Sequence, residues 1–110
     1  MSKYHNRRVC LDGYTFDSAA EARRYHELRL LEAAGELRDI EVHPRFRVEV
    51  MGCDGKAHHI CDYVADSRYW DCRGHRFVVE DVKGVRTQAY ILKRKLVEAL
   101  YGWTITEVEA

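Results

Sequence analysis

The sequence predicts an α/β domain with a mixed β-sheet flanked by helices, in the order α-β-β-β-α-β after a short N-terminal hairpin. Three observations predict it: two stretches of helical periodicity, three strand patterns between them, and an apolar strand after the second helix. Three strands in a row favour an antiparallel meander, and a helix between strands favours a parallel pairing, so the sheet is expected to be mixed. One hundred and ten residues suit one domain, 1–110, and leave little room for a second core.

The elements follow in order. Val9–Leu11 and Tyr14–Phe16 flank Asp12-Gly13, a hairpin signal. Ser18-Ala19-Ala20-Glu21 fits a capping box, and the helix it starts should run to about Ala34, with Gly35 as its stop. Ala20, Tyr25, Leu28 and Leu31 share one side of that helix, and Glu21 falls within the same side. After Pro44, the residues Phe46, Val48 and Val50 alternate with charged ones as in a half-buried strand. Asp54-Gly55 turns the chain into an extended stretch from about His58 to Trp70, and Arg73-Gly74 turns it into Phe77–Lys83. Thr87 can cap a helix through Tyr101, with Ala89, Leu92, Leu96, Ala99 and Leu100 as its core stripe. Gly102 ends it, and Trp103–Val108 reads as the last strand.

Hydrophobic residues at 46% and charged ones at 33% describe a globular protein, not a disordered chain. No apolar run is long enough to cross a membrane and no signal-peptide stretch is seen, so the expected location is the cytoplasm. Eighteen basic residues balance eighteen acidic ones, which disfavours a nonspecific nucleic-acid coat but not an enzyme that gathers acids around a metal. Cys10, Cys53, Cys61 and Cys72 form no CxxC pair, and with His58, His59 and His75 they match no common zinc spacing. They are expected to be reduced thiols. His26, His43 and His75 fit no motif and are expected to be surface or core histidines.

The segment that carries chemistry is Asp81-Val82-Lys83. Alternate residues of a strand share a face, so Asp81 and Lys83 point one way and Glu80 the other. Asp66 follows Tyr63-Val64-Ala65, and a hairpin between the two segments brings Asp66 beside Asp81. Two neighbouring carboxylates repel unless a cation sits between them, and a divalent ion with hard oxygen ligands, helped by a lysine, meets that need.

Asp66, fourteen residues and then Asp81-Val82-Lys83 resembles the PD-(D/E)xK nuclease motif. More of the chain is similar to small phage and prophage nucleases of the Holliday-junction-resolvase type. The shared landmarks are Phe16-Asp17-Ser18, Glu21-Ala22-Arg23-Arg24-Tyr25, Pro44-Arg45-Phe46, Tyr63-Val64-Ala65-Asp66 and Val79-Glu80-Asp81-Val82-Lys83-Gly84. Ala65 stands in place of the motif's proline, and Ser67 stands where an apolar residue is expected.

The resemblance implies a restriction-endonuclease-like core and a Mg²⁺-dependent endodeoxyribonuclease of a phage or prophage, acting in the bacterial cell on branched DNA, with Mn²⁺ able to substitute. Asp66, Asp81, the Val82 carbonyl and Glu21 would hold the metal, and Lys83 would orient and help deprotonate the attacking water. Glu21 also has a purely structural reading as the third residue of the capping box. Asp62 shares a strand face with Asp66 and ranks below it, and Glu80 reads as a solvated or supporting acid.

Arg86, Lys93, Arg94 and Lys95 follow the motif and are the candidate DNA contacts. The reverse side of their helix repeats Tyr90, Arg94, Val97 and Tyr101, an expected homodimer face. No nucleotide cofactor is expected. The alternatives are a non-catalytic DNA-binding or regulatory protein on the same fold, and a nickase or flap-specific nuclease.

Overall fold

A computed structural model describes residues 7–110 as a mixed α/β fold, a four-stranded mixed sheet with a helix against each face. The hairpin β1 (Val9–Leu11) and β2 (Tyr14–Phe16) precedes helix α1 (Ala19–Ala33). Strands β3 (Leu37–Val42), β4 (Arg45–Met51), β5 (Ala57–Val64), β6 (Ser67–Asp71) and β7 (Arg76–Lys83) follow, then helix α2 (Gln88–Tyr101) and strand β8 (Ile105–Glu109). The main sheet has the order β3-β6-β7-β8, antiparallel except for the parallel β7–β8 pair. β4 and β5 form a separate antiparallel hairpin.

The mixed sheet and the parallel last pair agree with the sequence reading, but the strand count does not. β3 is an additional strand. Its sequence hides it, because a bulge between Arg38 and Glu41, with Asp39 at φ 60°, breaks the period-2 alternation. The expected meander is also replaced. The run His58–Trp70 is extended throughout yet serves two sheets: β5 pairs with β4, and β6 pairs with β3 and β7.

Each helix covers one face. Leu28 of α1 packs with Leu37, Tyr69 and Val78, and Phe16 of the N-terminal hairpin packs with Ala22 and Tyr25. On the opposite face, Tyr90 and Val97 of α2 meet Val79, Ile105 and the inner side of the β4–β5 hairpin through Phe46, Val48 and Tyr63. Val50 lies beyond the bulge at Val48/Glu49 and is exposed, which ends the alternation expected for that strand.

Both helices turn relative to expectation. In α1, Tyr25 and Leu28 are buried as expected, but Ala22 completes the core side and Leu31 faces out. In α2 the reversal is larger: Val97 is 0% exposed, whereas Leu92 is 60% and Leu100 50% exposed. The side with Tyr90 and Val97 packs inward, so it is not available as the expected dimer face. Tyr90 and Val97 present apolar surface as good as leucine's, and periodicity alone does not say which of two apolar stripes meets the sheet.

Candidate metal centre

Asp66 stands at the break between β5 and β6. Its neighbours there are held by backbone bonds: the Ala65 amide donates to the Pro44 carbonyl at 3.0 Å, and the His43 amide donates to the Asp66 carbonyl at 3.0 Å. The Asp66 amide donates both to the Glu80 carbonyl at 3.2 Å and to Asp81 Oδ1 at 3.0 Å. In return, Asp66 Oδ2 accepts from the Val82 amide at 2.6 Å. At the break, the Asp66 carboxylate thus satisfies the Val82 amide of β7, and the Asp81 carboxylate of β7 satisfies the Asp66 amide.

Asp81 is 1% exposed, and its second oxygen, Oδ2, is buried without a hydrogen-bond partner. An orphaned carboxylate oxygen in a dry setting is costly unless a cation accompanies it. Lys83, two residues on and on the same face of β7, places Nζ 4.2 Å from the centroid of the Tyr90 ring. Tyr90 in turn donates to Glu107 Oε2 at 2.7 Å. A hollow of about 350 Å³ opens beside Lys83, lined also by Thr87, Tyr90 and Lys93.

Glu21 reaches the site from the first turn of α1. Its amide donates to Ser18 Oγ at 3.2 Å, and the Ser18 hydroxyl contacts Glu21 Oε2 at 3.3 Å, so the capping role is real. The same carboxylate meets Asp66 and His43, with ligand atoms of the three all within 4.8 Å of one another. Asp81 is not part of that group and adjoins it through Asp66. His43 is held at φ 54°, a strained conformation for a non-glycine residue, with its ring 5.6 Å from that of Phe16.

Electrostatics mark the cluster. Burial, then the Asp66 charge and hydrogen bonding to Asp66, push the Glu21 carboxyl from 4.5 to about 7. Burial pushes Asp81 from 3.8 to about 6, against the pull of Lys83 and the Asp66 amide. Burial also raises Asp66, although the Val82 amide, Glu21, Lys83 and His43 oppose it. Burial thus opposes ionisation at each of these three carboxyl groups, and at Glu21 the neighbouring Asp66 charge adds to it.

A family model described as Protein of unknown function (DUF1064) matches residues 1–107. The chain belongs to the DUF1064 family. No curated protein and no solved structure matches it.

In this DUF1064 chain, Glu21 meets Asp66, Asp81 accepts from the Asp66 amide, and Lys83 lies on the Asp81 face of β7; Val82 reaches Asp66 through its amide, where its carbonyl was expected to serve. His43 was missed, since a lone histidine before Pro44 carries no motif; its place beside Asp66 comes from the β3–β6 pairing. Glu80 is not a solvated acid. It is 0% exposed, gripped by Arg24 through bonds of 2.8 and 3.1 Å and by the Tyr69 hydroxyl at 2.7 Å. Arg24 lies one turn beyond Glu21, so this buried pair ties α1 to the strand that carries Asp81.

Asp62 is taken up by Arg45 and His59, both at 2.9 Å. Of the four candidate DNA contacts, Arg86 pairs with Glu107 and Glu109, and Arg94 pairs with Glu107. Those acids on β8 already neutralise the two arginines. Lys93 shares the hollow with Lys83, and Lys95 is exposed. The four cysteines are free thiols, and among the described residues they join no metal-ligating group.

Proposed function

We propose that this DUF1064 chain is a metal-dependent DNA endonuclease of the PD-(D/E)xK type with a restriction-endonuclease-like core, acting at branched or Holliday-junction DNA in phage recombination or replication. The observation that carries this reading is the buried, partnerless Oδ2 of Asp81 beside Lys83, on the strand whose Val82 amide is held by Asp66. Binding to DNA phosphates gains nothing from clustered carboxylates, whereas a divalent cation needs them. A structural role for Asp81 would leave no reason for an unsatisfied oxygen.

The donor set fits Mg²⁺, with Mn²⁺ able to replace it: Asp66 and Asp81 as the main ligands, Glu21 and the Val82 carbonyl as further ones, and His43, grouped with Glu21 and Asp66, as a donor better suited to Mn²⁺. When bound, such an ion lowers the pKa of a coordinated water and draws off charge building on the phosphate. Lys83 holds its ammonium against the Tyr90 ring and is thereby fixed to orient the attacking water and neutralise the phosphate oxygen. Burial and the neighbouring Asp66 push the Glu21 carboxyl up to about 7, so as a metal ligand it would have to give up its proton. Lys93 lines the approach to Lys83 and contacts the phosphate backbone, whereas Lys95, two residues on along α2, does not share that side. A second copy, needed to cut two strands together, docks through a surface other than the Tyr90–Val97 side, which is buried in the core. The setting is the bacterial cytoplasm.

The test is cleavage of a four-way junction, a linear duplex, a flap and a single strand, each with Mg²⁺, Mn²⁺ or EDTA. Metal-dependent cuts are expected, most readily at the junction. The reading fails if wild type cuts no substrate, or if Asp81→Ala and Lys83→Ala cut as well as wild type.

A further inference from the structure

A second depression, of about 420 Å³, opens on the same face of the sheet as Asp81. One wall is an aromatic cluster: the Phe46 and Trp103 rings lie 4.8 Å apart between centroids, and Tyr101 lies 5.7 Å from Trp103. The other wall is Phe77, with the Arg68 guanidinium stacked 4.6 Å from its ring centroid and Trp70 packed on it at 5.0 Å. Phe77 is 52% and Tyr101 44% exposed. The walls are held in place, since the Tyr101 hydroxyl donates to the Arg47 carbonyl at 3.0 Å and Trp103 packs into the main core.

The position relative to the metal centre follows from strand geometry. Phe77, Val79, Asp81 and Lys83 alternate along one face of β7, and Val79 also lines the cleft. Four residues of strand separate Phe77 from Asp81, about 13 Å. A few nucleotides are long enough to cover that distance.

We infer that this cleft stacks an unpaired nucleobase of the strand that is cut, so the substrate carries single-stranded or unstacked nucleotides next to the scissile bond. The placement beside the scissile bond rests on the nuclease reading; the stacking does not. Flat aromatic rings with an arginine plane among them match the faces of a base and its adjoining anionic backbone. Bases within a duplex are already stacked and would have to be extruded, so a junction or flap serves better than continuous duplex. Among the described residues Arg68 has one loose ionic partner, Glu41 at 3.9 Å, and a purely apolar ligand would leave the rest of its guanidinium without one.

The experiment compares binding of a fluorescent short oligothymidylate with an abasic oligomer of the same length, in EDTA. Wild type should bind the oligothymidylate about tenfold more tightly. Phe77→Ala should lose that preference without weakening abasic binding, and Phe77→Trp should retain it; the position is exposed enough for each variant to fold. Equal affinity of wild type for the two oligomers overturns the inference, as does an unchanged preference in Phe77→Ala. Sedimentation provides a further check: a wild-type dimer that Phe77→Ala converts to monomer, with base preference intact, assigns the cleft to self-association and overturns the inference. Base-dependent binding without cleavage of any DNA in Mg²⁺ or Mn²⁺ upholds the stacking cleft and overturns only the nuclease reading. Cleavage with base-independent binding does the reverse.

Discussion

Asp66 and Asp81 engage each other's strand through backbone amides: the Asp66 amide donates to Asp81 Oδ1 at 3.0 Å, and the Val82 amide donates to Asp66 Oδ2 at 2.6 Å. Each carboxylate thus commits one oxygen to architecture, and on Asp81 the other is left buried and unpaired. These backbone bonds fix the position of both acids, the preorganisation that the proposed metal centre requires.

Neutral isosteres should separate the two uses of these carboxylates. Asp81→Asn is expected to leave the metal-free fold about as stable, because it removes a buried charge while its amide oxygen can keep the bond from the Asp66 amide. The thermal stabilisation that Mn²⁺ confers on wild type should disappear. His43→Asn should weaken Mn²⁺ by about tenfold or more and Mg²⁺ less, since imidazole suits the softer ion. Thermal melts titrated with each metal decide this, and a full Mn²⁺ shift in Asp81→Asn would count against the site.

Metal-free stability should fall as pH rises from about 5 to 7.5. Glu21 and Asp81 have folded values of about 7 and 6, above the ordinary 4.5 and 3.8. Between those limits the folded protein binds more protons than the unfolded chain, so the contribution is complete below the ordinary values and is lost as pH climbs through the raised ones. Asp54, Asp62 and Glu107 are shifted downward, so their effects belong to lower pH. Melting in EDTA across this range should show the decline, and saturating Mn²⁺ should abolish it. Stability rising through the window in EDTA contradicts the assignment.

Breaking the Arg24–Glu80 pair should be expensive. Glu80 is 0% exposed, and Arg24→Met would leave its charge buried with only the Tyr69 hydroxyl, at a cost of about 3 kcal/mol. Adding Glu80→Gln should recover much of that loss. Urea denaturation of the two single variants and the double gives the coupling, and simple additivity would show that the pair does not act as a unit.

The orientation of α2 has its own test. Val97→Ala should cost about 2 kcal/mol, because Val97 is 0% exposed in the main core. Leu92→Ser, at a site 60% exposed, should change stability by no more than about 0.5 kcal/mol. The opposite ranking in chemical denaturation would put the leucine stripe inside.

Much of this protein was legible in the chain alone. Ser18 capping α1, Thr87 and Gly102 bounding α2, and the alternation through Phe77–Lys83 are local matters, where each residue's conformational preference acts within a few neighbours. The pairing of Asp81 with Lys83 on one face follows from period 2 alone, and so does the separation of Glu80 from them. Which partner a segment meets is not local. That β3 exists, that His58–Trp70 divides between two sheets at Asp66, and that Val97 rather than Leu92 faces inward depend on which surfaces bury the most together. His43 enters beside Asp66 and Glu21, Arg24 closes on Glu80, and Arg86 and Arg94 pair with β8 acids for the same reason. By itself, then, the sequence determined the chemical groups and the faces they share along each strand. Tertiary structure alone decided which of them meet, because contacts between distant segments are set by packing and desolvation of whole surfaces, and no short pattern encodes those.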